Sequence, residues 1–183
     1  MIFGGNIFYD YYLVEKIRMK SILQDLPDIK EIRKLEKSSQ KEGSGIVYED
    51  LLGMWKFQFV WKKGSDDMDN ISSSILQILS AKLQLIEKTP GDKINFEIKN
   101  SISFGLLNII FVGTASLKGQ RPLLTFYFEN LKVGIGNFSL ISKSLKQIEL
   151  KKMPFFSLIG ISREDSWMCA RGKGGGLAIW IKP

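Results

Sequence analysis

Histidine is absent from the 183 residues, and Cys169 is the only cysteine. Neither a Ser-His-Asp nor a Cys-His nucleophile set can therefore be assembled within one chain. The imidazole or thiolate cage of a zinc site is excluded for the same reason. Asp66, Asp67 and Asp69 crowd one loop as hard-cation ligands do, but no glycine stands at the sharp-turn position and no bidentate glutamate follows at the right offset. Glu164 and Asp165 are sequence neighbours, and neighbours on a strand face opposite ways, so they make a poor acid/base pair. Residues 171–176, Arg-Gly-Lys-Gly-Gly-Gly, are basic and glycine-rich. No Ser or Thr follows that lysine and no helical pattern comes after it, so a hairpin turn is a better reading than a phosphate cradle. No catalytic set, metal site or cofactor motif emerges.

The remaining chemistry is that of binding. Trp55, Phe57, Phe59 and Trp61 alternate with Lys56, Gln58, Val60 and Lys62, a period of two that predicts a strand with four aromatics on one face. Phe96, Phe126, Phe128, Trp167 and Trp180 join that wall if the alternation is kept across strands. Such a row stacks on an isoprenoid, pigment or acyl chain, or it forms plain core; in a barrel the two are the same face. Arg171 is placed to cap a barrel end or to pair with a ligand carboxylate.

Charge adds a second candidate surface. The chain carries a net charge of +7, and the excess sits in its last third. There Lys143, Lys146, Lys151 and Lys152 flank Leu145, Ile148, Leu150 and Met153, a pattern suited to an anionic membrane surface or to a strap across a barrel mouth. The basic last third also permits nucleic acid, although no RRM-type aromatic signature is present.

These residues need elements to hold them. Length and 44% hydrophobic content suit one globular unit with a sizeable core, and the single cysteine suits a reducing compartment. The longest apolar run, residues 104–113, is about half of what a membrane helix needs. Apolar spacing of three and four predicts a helix over residues 8–26 and a second, opened by Pro27 and carrying Ile29, Ile32 and Leu35, ending near Lys37. Residues 38–45 read as a linker. Residues 1–12 lack a basic start and contain Asp10, unlike a secretory signal, and Met19 offers an alternative start to Met1.

After Gly53 the period is two. Residues 82–88 and 93–99 form a hairpin about Thr89-Pro90-Gly91-Asp92. Residues 71–80 fit a helix or a strand equally. Residues 104–117 predict one long strand bent at Gly105 or Gly113. Further strands cover Leu124 to Phe128 and residues 133–141, 155–161, 167–170 and 177–181. About eight strands with tight turns predict a mainly β fold: a lipocalin-like, antiparallel, up-and-down barrel over residues 46–183, preceded by a helical segment over residues 1–45.

Two stretches resemble a known family. Leu51-Leu52-Gly53-Met54-Trp55-Lys56-Phe57 is similar to the first strand of the plastid lipid-associated proteins, or fibrillins, of chloroplasts and cyanobacteria. The segment from Glu164 through Trp167, Arg171-Gly172-Lys173-Gly174 and Leu177 looks like that family's C-terminal acidic stretch, turn and last strand. Met168 stands where the family has a second arginine, and Lys173 where it has an aspartate. The resemblance implies a lipocalin-like, non-catalytic barrel that binds lipid or another hydrophobic molecule peripherally to thylakoid membranes, on their cytoplasmic side. A lipocalin-like bilin lyase is the alternative, and it requires a carboxylate and arginines near the cavity.

Overall fold

The structure, a computed structural model, describes residues 26–78, 80–146 and 148–183. The helix expected over residues 8–26 falls outside these, apart from Leu26.

α1 (Ile29–Glu42) starts at a reciprocal cap: the Glu31 N–H donates to Asp28 Oδ1 at 2.8 Å and the Asp28 N–H donates to Glu31 Oε2 at 2.9 Å. It runs five residues past the predicted end, because it stops at Gly43, whose φ of +87° lets its N–H reach back to Ser39 O at 3.0 Å. α2 (Tyr48–Leu51) is one turn. α3 (Asn70–Ile78) settles the ambiguous segment as a helix; Asp69 takes the Ser72 N–H at 3.1 Å and the Ser72 hydroxyl at 2.7 Å at its start.

Nine strands follow: β1 (Gly53–Trp61), β2 (Lys82–Glu87), β3 (Asn95–Phe104), β4 (Leu107–Lys118), β5 (Leu123–Ile135), β6 (Phe138–Ser144), β7 (Phe155–Ser162), β8 (Trp167–Gly172) and β9 (Leu177–Ile181). Every pairing is antiparallel. β1 pairs with both β2 and β9, and β5 joins β4 to β7, so eight strands close into a barrel of the lipocalin-like kind that the sequence predicts. β6 stays outside the closed ring. It pairs with residues 130–135 of β5, whereas β7 takes residues 123–125 of the same edge.

Two strand predictions change. Residues 104–117 are not one bent strand: Phe104 ends β3, Gly105 with φ +57° and Leu106 turn the chain, and β4 begins at Leu107. Residues 133–141 are not one strand either, because β5 continues to Ile135 and the chain reverses at Gly136, φ +56°. Gly113 sits instead at a bulge, where an added Cβ would lie 1.9 Å from Tyr127 O.

Two apolar layers result. Inside the barrel lie Trp55, Phe57, Leu83, Leu85, Phe96, Ile98, Leu124, Phe126, Leu158, Met168 and Trp180. Outside it, α1 lays Ile32 on Trp61, Ile159, Trp167, Cys169 and Ile179. Full burial of each large side chain contributes roughly 1.5–3 kcal/mol, so both layers matter to stability.

Candidate functional site

The predicted row of four aromatics is split. A bulge between Phe57 and Phe59 shifts the register of β1 against β9, so Trp55 and Phe57 face the barrel interior while Phe59 and Trp61 join the layer beneath α1. One extra residue moves everything beyond it to the other face. Trp167 is corrected likewise: it lies in the outer layer. Phe96, Phe126, Phe128 and Trp180 take the predicted inner face.

The inner aromatics form a continuous train. Ring centroids are 5.4 Å apart for Phe111 and Phe128, 5.6 Å for Phe128 and Phe126, 5.1 Å for Phe126 and Phe156, 5.3 Å for Phe156 and Trp180, and 6.3 Å for Trp180 and Phe57. These separations are those of tilted and edge-on aromatic contacts. At the end where β1 begins the interior is plugged. The Tyr48 ring stacks on Phe96 at 4.1 Å with its hydroxyl donating to Asn95 O, and Trp55 Nε1 donates to Leu51 O at 2.8 Å. Burial, ahead of the nearby carboxylates Glu87, Asp92 and Glu49, raises the Tyr48 pKa and keeps the phenol neutral.

Toward the other end the inner face leaves the barrel. Phe111 pairs with Asn100 and Leu131, and Leu131 pairs with Lys143. The next row is Ile102, Ile109, Val133 and Ile141, and the last is Phe104, Leu107, Ile135 and Phe138. Paired residues share a face, so the side that carries the aromatic train continues as a half-exposed apolar sheet. The reverse side carries Ser101, Ile110, Lys132 and Ser142 in one row and Ser103, Asn108, Gly134 and Ser139 in the next.

Arg171 is occupied by the protein itself. Its Nε and Nη2 donate to the two Glu36 carboxylate oxygens of α1 at 2.6 Å each, and Nη1 donates to Gly175 O. The Glu36 hydrogen bonds raise its pKa further. Lys143, Lys146, Lys151 and Lys152 are all exposed. Lys143 stands on the sheet extension. Lys151 lines a groove of about 550 Å³ beside Lys118, Tyr127 and Lys173 on the barrel's outer wall, and Lys152 pairs with Glu149 at 3.2 Å.

The acidic loop is dispersed, with Asp66 paired to Arg33 and Asp69 to Lys62. Among the described residues no group of three or more carboxylate or cysteine side chains is placed to hold a metal, and no helix is long and apolar enough to cross a membrane. Phe111, Phe156 and Tyr48 were missed as parts of the interior. Phe111 was hidden in a long apolar run broken only by Asn108, whereas Gly136-Asn137 was a turn signal that would have separated β5 from β6. A barrel of this kind is compatible with ligand binding. No family model, curated protein or solved structure matches the chain.

Proposed function

We propose that the protein binds a hydrophobic small molecule, a lipid, isoprenoid or pigment, non-catalytically, and that it works at the periphery of a membrane. One observation carries this reading: the aromatic train from Phe57 to Phe111 runs on into an apolar sheet face that solvent reaches. A polyene or acyl chain laid along Ile109, Val133, Leu131 and Phe111 follows apolar side chains to the rings of Phe128 and Phe126, with Asn100 and Lys143 at the two margins of the Phe111 row. The buried polar residues described are Ser39, Gln58 and Thr114. None is a carboxylate, and the shielded carboxylates of Asp50 and Asp69 are held by Arg163 and Lys62, which favours simple binding over bilin attachment. The resemblance to fibrillins points the same way.

The test has two parts. Mild purification, organic extraction and mass spectrometry should recover a hydrophobic compound. A conjugated polyene fatty acid should then bind saturably to the emptied protein and quench tryptophan emission through Trp180. Phe111→Ser and Phe128→Ser should each weaken that binding about tenfold or more. Empty extracts together with no saturable uptake, or uptake indifferent to both substitutions, would refute the reading.

A further inference from the structure

The sheet extension ends in two turns that touch, with the Gly136 N–H donating to Leu106 O at 2.7 Å. Together they present a cluster that the described residues leave uncovered: Phe104 is 60% exposed, Leu106 70%, Phe138 78% and Leu140 58%. Two-residue turns are ordinarily polar, and contiguous apolar surface of this kind marks an interaction site. The surrounding charge has one sign. Residues 100–117 carry no charged side chain, and residues 130–144 carry Lys132 and Lys143 with no Asp or Glu.

The spacing matches a bilayer surface. At about 3.3 Å per residue, Lys132 stands ~10 Å and Lys143 ~13 Å behind the terminal row of Phe104, Leu107, Ile135 and Phe138. Apolar groups of interfacial proteins sit about 5–10 Å into the headgroup and acyl boundary. A tip at that depth holds the lysine ammonium groups at the level of the lipid phosphates. A second copy of the chain would bring the same lysines toward their like, whereas an anionic leaflet complements them.

We infer that the paired turns at 104–107 and 135–138 insert into the surface of an anionic bilayer, with Lys132 and Lys143 on the phosphates. This deepens the binding reading above and rests on it for the membrane setting, since it sets the open end of the apolar rows against the lipid. Lys151 and Lys152 lie off this surface and take no part. The two readings fail separately, because polyene uptake in solution reports on the interior and liposome binding reports on the tips.

The experiment uses the full chain and liposomes of phosphatidylcholine containing about one third phosphatidylglycerol. Wild type should co-sediment at low salt. The triple variant Phe104→Ser, Leu106→Ser, Phe138→Ser should lose binding at every salt concentration while keeping its near-ultraviolet circular dichroism. Lys132→Gln, Lys143→Gln should weaken binding roughly thirtyfold at low salt, whereas Lys151→Gln, Lys152→Gln should not. Phe138→Trp should gain a blue-shifted emission that brominated acyl chains quench. Failure of wild type to co-sediment, unchanged binding by the serine variant, or an unquenched Trp at 138 would each overturn the inference. A wild-type dimer that the serine variant converts to a monomer, without liposome binding, would overturn it in favour of an interface between copies.

Discussion

Phe57 and Phe59 lie two positions apart on β1, yet one packs edge-on against Trp180 inside the barrel, 6.3 Å between centroids, and the other packs against Trp61 outside it, at 6.5 Å. The bulge between them makes β1 a shared wall of the two apolar layers. Phe57→Ala should cost about 3–5 kcal/mol of stability by leaving a cavity in a buried site and should also alter polyene uptake. Phe59→Ala, at a half-buried site, should cost less and leave uptake unchanged. Urea unfolding and the fluorescence titration separate the two effects, and equal effects on uptake would contradict the split.

Arg171 and Glu36 join the β8–β9 hairpin to α1 through a two-pronged contact that is mostly shielded from water. Lysine cannot reproduce that fork. Arg171→Lys and Glu36→Gln should each cost about 1–3 kcal/mol, and a double-mutant cycle should return a coupling of about 1 kcal/mol or more. Additive losses would show that the pair contributes little beyond packing.

Asp50 is enclosed where α2 meets the barrel. Burial by itself would raise its pKa, but Arg163 donates from Nε and Nη2 at 2.6 and 2.7 Å and the Val47 N–H from 3.0 Å, and the net result is a pKa below the usual aspartate value. A carboxylate held low in the folded state contributes stability that is present above the unfolded value of about 3.9 and lost as pH falls through the folded one. Asp50→Asn should therefore be less stable at neutral pH and should show a flatter loss of stability below pH ~4. An acid limb as steep as wild type's would assign that slope to other groups.

Cys169 lies in the layer beneath α1, and burial pushes its thiol up to about 12. The stability tied to the neutral thiol is present below an ordinary thiol pKa of about 8.5 and is lost only as pH rises toward 12. At pH 8 iodoacetamide should label the native protein at the rate set by unfolding, and label it rapidly in urea. Rapid labelling without denaturant would mean that α1 opens on its own.

Much of this architecture was legible from the residues. Alternation over Phe96 and Ile98 and over Leu124, Phe126 and Phe128 reported an inner face directly, because a strand with one buried side must repeat every two residues, whereas Ile94 falls before β3 and is exposed. Pro27 marked the start of α1, since a helix-start signal depends on neighbours in the chain. Absent histidine and a single cysteine excluded whole classes of chemistry without any structure. Other features had no local signal. The bulge after Phe57 leaves the alternation of residue types intact while reversing what they face, and only the pairing of β1 with β9 decides it. Arg171 found its carboxylate on a helix 135 positions earlier. The exposure of Phe104, Leu106 and Phe138 depends on β3 to β6 outrunning their neighbours, which is set by strand register. Side-chain type and spacing travel with the chain, but register and exposure come from contacts between distant segments, and those exist only once the barrel has closed.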